Sequence, residues 1–274
     1  MNYSQLPATH GRPLGQSPLI VSPVGLGCWQ FAGGGVHSGT WRSPSQDIIN
    51  QIVAVSLAGG VNWFDTAEIY GFGRSERAVA TALVAANQAD GGVVIATKWS
   101  PFLRTASSIW KTFPVREKFL SPFHIDLLQV HLPYSFSPVG AQMNALADLL
   151  DTGKIKAAGV SNFSASWMRQ AHNALKLRGY PLASNQVRYN LLDREIEQNG
   201  VLETALELGV TIIAYSPLAK GLLSGRYHDN PTSVEKPPLF RRRAIRRGIE
   251  KARDLVKLLV DIAASYNVSP SQVA

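Results

Sequence analysis

Seven short apolar runs, each followed by a loop and a stretch with helical spacing, constrain this chain more than its composition does. The runs are Val24–Trp29, Val61–Thr66, Val93–Lys98, Ile125–His131, Ala157–Ser161, Leu182–Val187 and Val210–Ser216. Between them lie amphipathic segments with start and stop signals. Ser75-Glu76 opens Arg77–Ala86, Met143–Leu150 stops at Thr152-Gly153, Ser164–Leu177 stops at Gly179, and Glu195–Leu208 stops at Gly209. Strands that alternate with helices pair in parallel, and repetition to this number argues for a closed barrel over an open sheet. The expected fold is α/β, a (β/α)8 barrel, with the turn-rich stretch Gly11–Pro23 as an N-terminal hairpin plugging its floor.

No Ser/Pro-rich or low-complexity linker divides the 274 residues, so residues 1–274 read as a single barrel domain. Near the end, Ser269-Pro-Ser-Gln272 has the order of a capping box and announces a new helix two residues before Ala274. On an eightfold plan the last strand and its helix are then missing, and the domain is incomplete at its C-terminus.

Composition narrows the function. No stretch approaches the roughly 20 apolar residues of a membrane span. Cys28 is the sole cysteine and forms no internal disulfide, and the opening residues lack the apolar core of a secretory signal; a cytoplasmic location is expected. The net charge of +8 is concentrated: residues 241 to 257 carry eight Lys or Arg against Glu250 and Asp254. That run merges into a helical stripe, Ile249, Ala252, Val256, Leu259, Ala263 and Tyr266, so it reads as a solvated helix face rather than a nucleic-acid surface. Gly33-Gly34-Gly35 is not followed by Lys-Ser or Lys-Thr and is no phosphate cradle, and His10, His37, His124, His172 and His228 lack metal-ligand spacing, so no metal is expected.

Four reactive side chains, Asp65, Tyr70, Lys98 and His131, sit at or just past the ends of three of these runs, the rim at which a parallel barrel assembles a site. A phenol with a reference pKa of about 10 is a poor acid at neutral pH unless a cation stabilises its anion, and Lys98 is placed to do so. Asp65 supplies the counter-ion that a buried Lys98 needs, and His131 supplies a hydrogen bond to a substrate oxygen. The set suits protonation of an oxygen on which negative charge develops. The rival chemistry is a Schiff-base Lys98, as in aldolases. Trp63, two residues before Asp65, is expected to face the core.

The chain resembles the aldo-keto reductases. The resemblance rests on Gly25–Trp29, Phe64–Gly71, Ser75-Glu76, Ala96–Lys98, Asp126–His131, Gly153–Phe163, Asn185–Asn190 and Ala214–Ala219, in family order. It implies hydride transfer from NADPH to an aldehyde or ketone. Tyr70 would be the general acid, Lys98 would lower its pKa, Asp65 would pair with Lys98, and His131 would orient the carbonyl. It further implies that Ser161, Asn162 and Gln186 hold the nicotinamide carboxamide and that Tyr215 stacks on the ring. Ser216, Pro217, Leu218, Ala219, Gly221 and Arg226 would clasp the pyrophosphate, and Gly27, Cys28 and Trp29, with Asp65, would meet the nicotinamide and substrate. The loop Ala219–Tyr227, followed by Pro237–Arg241, is similar to that of the bacterial and plant branch that includes pyridoxal-reductase-like members. A lyase gives Tyr215 and Asn162 no task. The second function to set beside the reductase is a truncated, catalytically impaired relative acting as a cofactor-binding or interaction subunit. Loops at 99–123 and 133–140 carry aromatic and apolar groups without a distinctive charged anchor, so the substrate is expected to be a small carbonyl compound in a mixed apolar pocket.

Overall fold

The computed structural model describes residues 11–32, 44–229 and 239–274; the Gly33–Gly35 segment, His10 and His37 lie outside them. The chain forms two compact units, one of residues up to Gln186 with Gly200–Ile213, the other of Val187–Asn199 with Ala214–Ala274.

The first unit begins with an antiparallel hairpin, β1 (Arg12–Pro13) and β2 (Ile20–Val21). A seven-stranded sheet follows in strict chain order: β3 (Leu26–Gly27), β4 (Trp63–Asp65), β5 (Val94–Trp99), β6 (Leu127–Val130), β7 (Ala157–Ser161), β8 (Leu182–Arg188) and β9 (Thr211–Tyr215). Pairing is parallel at each step from β3 to β8. This is the near-barrel that the strand and helix alternation predicts. Its helices are α1 (Gln46–Ala58), α2 (Arg74–Ala85), α3 (Ser107–Leu120), α4 (Val139–Asp151), α5 (Ala165–Lys176) and α6 (Val201–Leu208).

The hairpin does plug the floor. Leu14, Leu19 and Val21 pack with Trp63, Ala96, Leu127, Ala157, Ala183 and Ile213, one inward residue from each of β4 to β9. Three of those six are alanines, which leaves room for the two leucines to enter; fully burying such a side chain is worth about 1.5–3 kcal/mol. Trp63 faces this core as expected, its indole N–H donating to the Ser22 carbonyl at 3.0 Å. Side chains on one face of a strand recur every second residue, so the next layer above the floor holds Asp65, Lys98, Gln129 and Gly159. Lys98, Gln129 and Gly159 stand in one row of the register.

Two details depart from the sequence reading. The stretch Glu195–Leu208 is not one helix: a 3-10 turn at Glu195–Glu197 is separated from α6 by Gly200, whose φ of 82° is a left-handed conformation that ends regular winding. The first apolar run is a strand only at Leu26–Gly27, after which Trp29–Ala32 winds into a 3-10 turn. Helices α1 and α3 carry no expectation above; α3 contains Pro114, which reads as a breaker in sequence.

In the second unit, α7 (Arg226–Asp229) precedes α8 (Leu239–Tyr266) and α9 (Pro270–Val273). Within the expected stripe of α8, Ala252, Val256, Leu259 and Ala263 are buried, Ile249 is half-buried and Tyr266 is exposed. Helix α9 has the expected capping box between Ser269 and Gln272, with Pro270 in its first turn. Among the described residues, no helix is long and apolar enough to cross a membrane.

Candidate active site

Asp65, Tyr70, Lys98 and His131 converge at the C-terminal end of β4 to β6. Lys98 is wholly buried, and its Nζ donates to Asp65 Oδ2 at 2.5 Å and to the Thr66 carbonyl at 2.9 Å. The ammonium lies 5.2 Å from the centroid of the Tyr70 ring, and the Tyr70 and His131 rings meet edge to face with centroids 5.7 Å apart. Trp29 stands on another side of Tyr70, 6.4 Å between centroids. The second oxygen of Asp65 accepts from Gln129 Nε2 at 3.2 Å. Gln129 is a site residue that the sequence reading passed over, although its place two residues beyond inward-facing Leu127 and two before His131 is the signal for it.

Tyr70 is delivered by a sharp turn. Gly71, Phe72 and Gly73 are consecutive left-handed residues (φ 64°, 53° and 87°), and a Cβ on Gly71 would stand 2.0 Å from the Ala32 carbonyl oxygen. The turn is tied from below: Thr66 Oγ1 donates to Ser75 Oγ at 2.8 Å, and Ser75 Oγ donates to the Cys28 carbonyl at 2.7 Å.

Around this centre runs a buried polar network that also escaped the sequence reading. Glu68, two residues before Tyr70, accepts from Arg104 Nη1 at 2.5 Å and from Ser100 N at 3.1 Å, while its own N–H donates to the Lys98 carbonyl at 3.0 Å. Arg116 of α3 lies between two carboxylates, 3.4 Å from Glu68 and 3.1 Å from Glu76. The Glu76 contact has ion-pair distance without hydrogen-bond alignment, since Arg116 Nε and Glu76 Oε2 have no hydrogen-bond partner. Glu76 Oε1 accepts from Thr97, the neighbour of Lys98.

Electrostatics assign charge states. Burial drags the Lys98 ammonium down, but Asp65 and then Tyr70 outweigh it and leave it above the usual lysine range. Burial pushes the Tyr70 phenol up more strongly than Lys98 draws it down, so the net shift is upward and Tyr70 holds its proton at neutral pH. The influence of Lys98 therefore has the expected sign, but burial is the larger cause. Burial, then Lys98, pushes His131 down to about 3, which makes it a neutral imidazole; its Nδ1 is enclosed without a hydrogen-bond partner. The Cys28 thiol is sealed in, donates to the Leu26 carbonyl at 3.2 Å, and is pushed far up by burial and then by Asp65, so it is no nucleophile.

Of the other expected site residues, Ser161, Asn162 and Gln186 are brought together at the ends of β7 and β8. Ser161 pairs with Gln186 in the register, Ser161 Oγ and Asn162 N both donate to the Gln186 carbonyl at 2.9 Å, and Asn162 Nδ2 donates to the His131 carbonyl at 3.2 Å. The side chain of Gln186 is almost fully buried and makes no hydrogen bond to a described residue. An amide and a hydroxyl clustered this way match the donor and acceptor needs of a carboxamide. Gly27 is exposed. In the second unit, Tyr215 closes β9 half-exposed, and Ser216, Ala219, Lys220 and Gly221 all take left-handed φ angles. Such strain persists where surrounding contacts over-determine it; here the Ser216 carbonyl accepts from Asn190 Nδ2 at 3.1 Å and from Ala219 N at 2.9 Å. Pro217 is exposed, Leu218 caps the 3-10 turn Ala219–Ser224, and Arg226 opens α7 on the surface. Among the described residues no cluster of His, Cys, Asp and Glu could hold a metal ion.

The chain belongs to the Aldo/keto reductase family, whose sequence pattern matches residues 23–274. An uncharacterized oxidoreductase of Mycobacterium tuberculosis is 38% identical over 257 residues, covering 93% of this chain and 76% of the relative. The chloroplastic pyridoxal reductase of Arabidopsis thaliana is 32% identical over 271 residues, covering 94% and 72%. In fold, the chain is similar to the thermostable aldo-keto reductase Tm1743 solved with the inhibitor epalrestat (TM-score 0.75, 24% identity, 96% of this chain and 82% of that one). The family and the fold make the protein an oxidoreductase acting on carbonyls. The impaired-subunit alternative finds no support among these relatives.

Proposed function

We propose that the protein reduces an aldehyde or ketone with NADPH, using Tyr70 as proton donor. The observation that carries this reading is the Lys98–Asp65 pair, its lysine fully buried and its carboxylate largely so, with the ammonium 5.2 Å from the Tyr70 ring centroid. Burying two charges costs several kcal/mol per ion, so the pair needs a chemical reason to be there. As negative charge grows on the carbonyl oxygen, the cation stabilises the phenolate left when Tyr70 O–H donates its proton. Asp65, held by Gln129 on its other oxygen, keeps the ammonium aimed. Neutral His131 has one N–H to donate to the same carbonyl oxygen, which orients the carbonyl without competing for the proton.

The nicotinamide, when bound, supplies the hydride. Ser161, Asn162 and Gln186 would hold its carboxamide, Tyr215 would stack on the ring, and Ser216, Pro217, Leu218, Ala219, Gly221 and Arg226 would take the pyrophosphate. Gly27 and Trp29 would border the ring and the substrate, with Cys28 contributing backbone alone.

The test pairs binding with turnover. NADPH titrated against tryptophan fluorescence saturates in both the wild type and Tyr70→Phe, whereas carbonyl-dependent NADPH oxidation falls at least a hundredfold in the variant. Undiminished turnover in Tyr70→Phe sinks the proton donor, and failure of NADPH to bind sinks the cofactor assignment.

A further inference from the structure

The loops that follow β4, β5, β6 and β7 are residues 66–73, 100–106, 131–138 and 162–164, and they crown the catalytic tetrad. They carry one acid, Glu68, one permanent base, Arg104, and His131, which is neutral. Glu68 and Arg104 are bonded to each other at 2.5 Å, and Glu68 is held from behind by Ser100 N and Arg116. These four loops therefore offer no free formal charge. They offer apolar surface instead: Phe72, Phe102, Leu103, Tyr134 and Phe136 are each 65–70% exposed. Large side chains left in water on three adjacent loops at a site mark a surface that a ligand covers. The clamp also ties the loops together, because the Arg104 carbonyl accepts from Phe136 N at 3.0 Å and from Ser135 Oγ at 2.9 Å.

We propose that Glu68 is a specificity-determining residue: by holding Arg104 it withholds the only permanent cation of these loops from substrate anions, and it thereby selects uncharged carbonyl compounds with an apolar or aromatic body. The proposal rests on the reductase reading and adds the substrate class. A carboxylate brought against these four loops would lose water and find on them no unpaired cation in exchange, which is costly. A flat neutral body would lie against the aromatic rim. Arg104 sits just past the strand of Lys98 and is half-exposed, so it is placed to meet an anion once Glu68 no longer competes.

The experiment uses a matched pair, methyl 4-formylbenzoate and 4-formylbenzoate, which differ by one charge remote from the aldehyde. Wild-type enzyme is expected to favour the ester by at least about tenfold in kcat/KM. Arg104→Met leaves the Glu68 carboxylate to Arg116 and Ser100 N alone and is expected to keep or strengthen the preference for the ester, never to shift it toward the carboxylate. Glu68→Gln releases Arg104 and is expected to shift the ratio about tenfold toward the carboxylate, the size of one partly screened charge acting at close range. Glu68→Gln with Arg104→Met is expected to return the ratio to the wild-type value, which a general loosening of the loops would not do. Wild-type preference for the carboxylate, no shift in Glu68→Gln, or a shift in Glu68→Gln that the added Arg104→Met does not reverse, overturns the proposal, and the first result needs no folded Glu68 variant. Quenching of tryptophan fluorescence by the same two compounds reads the preference without turnover. A protein that binds the ester preferentially and reduces neither compound refutes the reductase reading while sustaining the selectivity.

Discussion

Gly159→Ala is the sharpest test of how the inner layer of the barrel holds Asp65. A Cβ at residue 159 would stand 2.4 Å from Ser184 Oγ, 3.1 Å from Gln129 Cγ and 3.3 Å from the Ser184 carbonyl oxygen. The carbonyl belongs to a paired strand and stays, so the Ser184 hydroxyl must rotate away and Gln129 must give by a few tenths of an ångström. Gly159 is not left-handed, so backbone strain adds nothing, and loss of glycine's freedom in the unfolded chain returns about 0.4–1 kcal/mol. Overpacking costs typically about 1–3 kcal/mol, which leaves a net destabilisation of about 1–2 kcal/mol. For a chain of this size that corresponds to a Tm lower by about 2–8 °C, read by far-UV circular dichroism. Function should suffer more than stability. Gln129 Nε2 is the donor to Asp65 Oδ1 at 3.2 Å, and a displaced Gln129 frees the carboxylate that aims Lys98. A drop in kcat of about tenfold is expected, with NADPH affinity within about twofold, because small misplacements of reacting groups are expensive. Ser184→Ala removes the nearest clashing atom, so the double variant should recover at least half of the lost Tm. Strict additivity of the two substitutions, or a Gly159→Ala protein indistinguishable from wild type, would refute this reasoning.

Lys98→Met leaves the Asp65 carboxylate buried without its cation and should destabilise by about 3–5 kcal/mol in urea unfolding. Adding Asp65→Asn should restore most of that stability and none of the activity; a double variant as unstable as the single would show that the pair is not the source of the loss. Glu76 gives a pH prediction. Burial raises its pKa from the ordinary 4.5 to about 7, against the pull of Arg116. The folded state therefore holds a proton that the unfolded state releases, and the penalty is absent below pH 4.5, grows as pH rises and is complete above about 7. At about 1.4 kcal/mol per pKa unit, wild type should lose about 2–3 kcal/mol relative to Glu76→Gln between pH 5 and pH 8. His131 acts in the opposite sense, its contribution being lost as pH falls from 6.5 toward about 3, but it is common to both proteins and cancels in the difference. Equal pH slopes for the two proteins would rule out a perturbed Glu76.

Much of the fold and its reactive groups was legible from residue order. Local spacing shows where strands end, and chain alternation dictates parallel pairing, so Asp65, Lys98 and His131 had to meet at one rim, with Tyr70 one loop away. The two-residue period of a strand likewise puts Trp63 beneath Asp65 and Leu127 beneath Gln129. The hairpin at the floor and the capping box at Ser269 are also local statements, written in turn residues and in a hydroxyl three positions before an amide. The break at Gly200 was harder to see, because one glycine's left-handed φ interrupts a pattern that otherwise keeps helical spacing.

Beyond the Asp65–Lys98 pair, partner choice among the buried charges was decided by tertiary structure alone. Asp65, Glu68 and Glu76 lie within twelve residues of one another, and Lys98, Arg104 and Arg116 within nineteen. The Lys98–Asp65 pair was expected from their places at neighbouring strand ends, but nothing in residue order states that Arg104 goes to Glu68 and Arg116 between Glu68 and Glu76. Coulomb energy depends on separation and on the surrounding dielectric, and both are set only when α2 and α3 pack against the sheet. For the same reason the sequence placed Lys98 near Tyr70 but did not reveal that burial outweighs it. Residue order established which groups meet; packing determined which of the remaining charges pair with one another and which aromatic side chains are left exposed on the loops beside them.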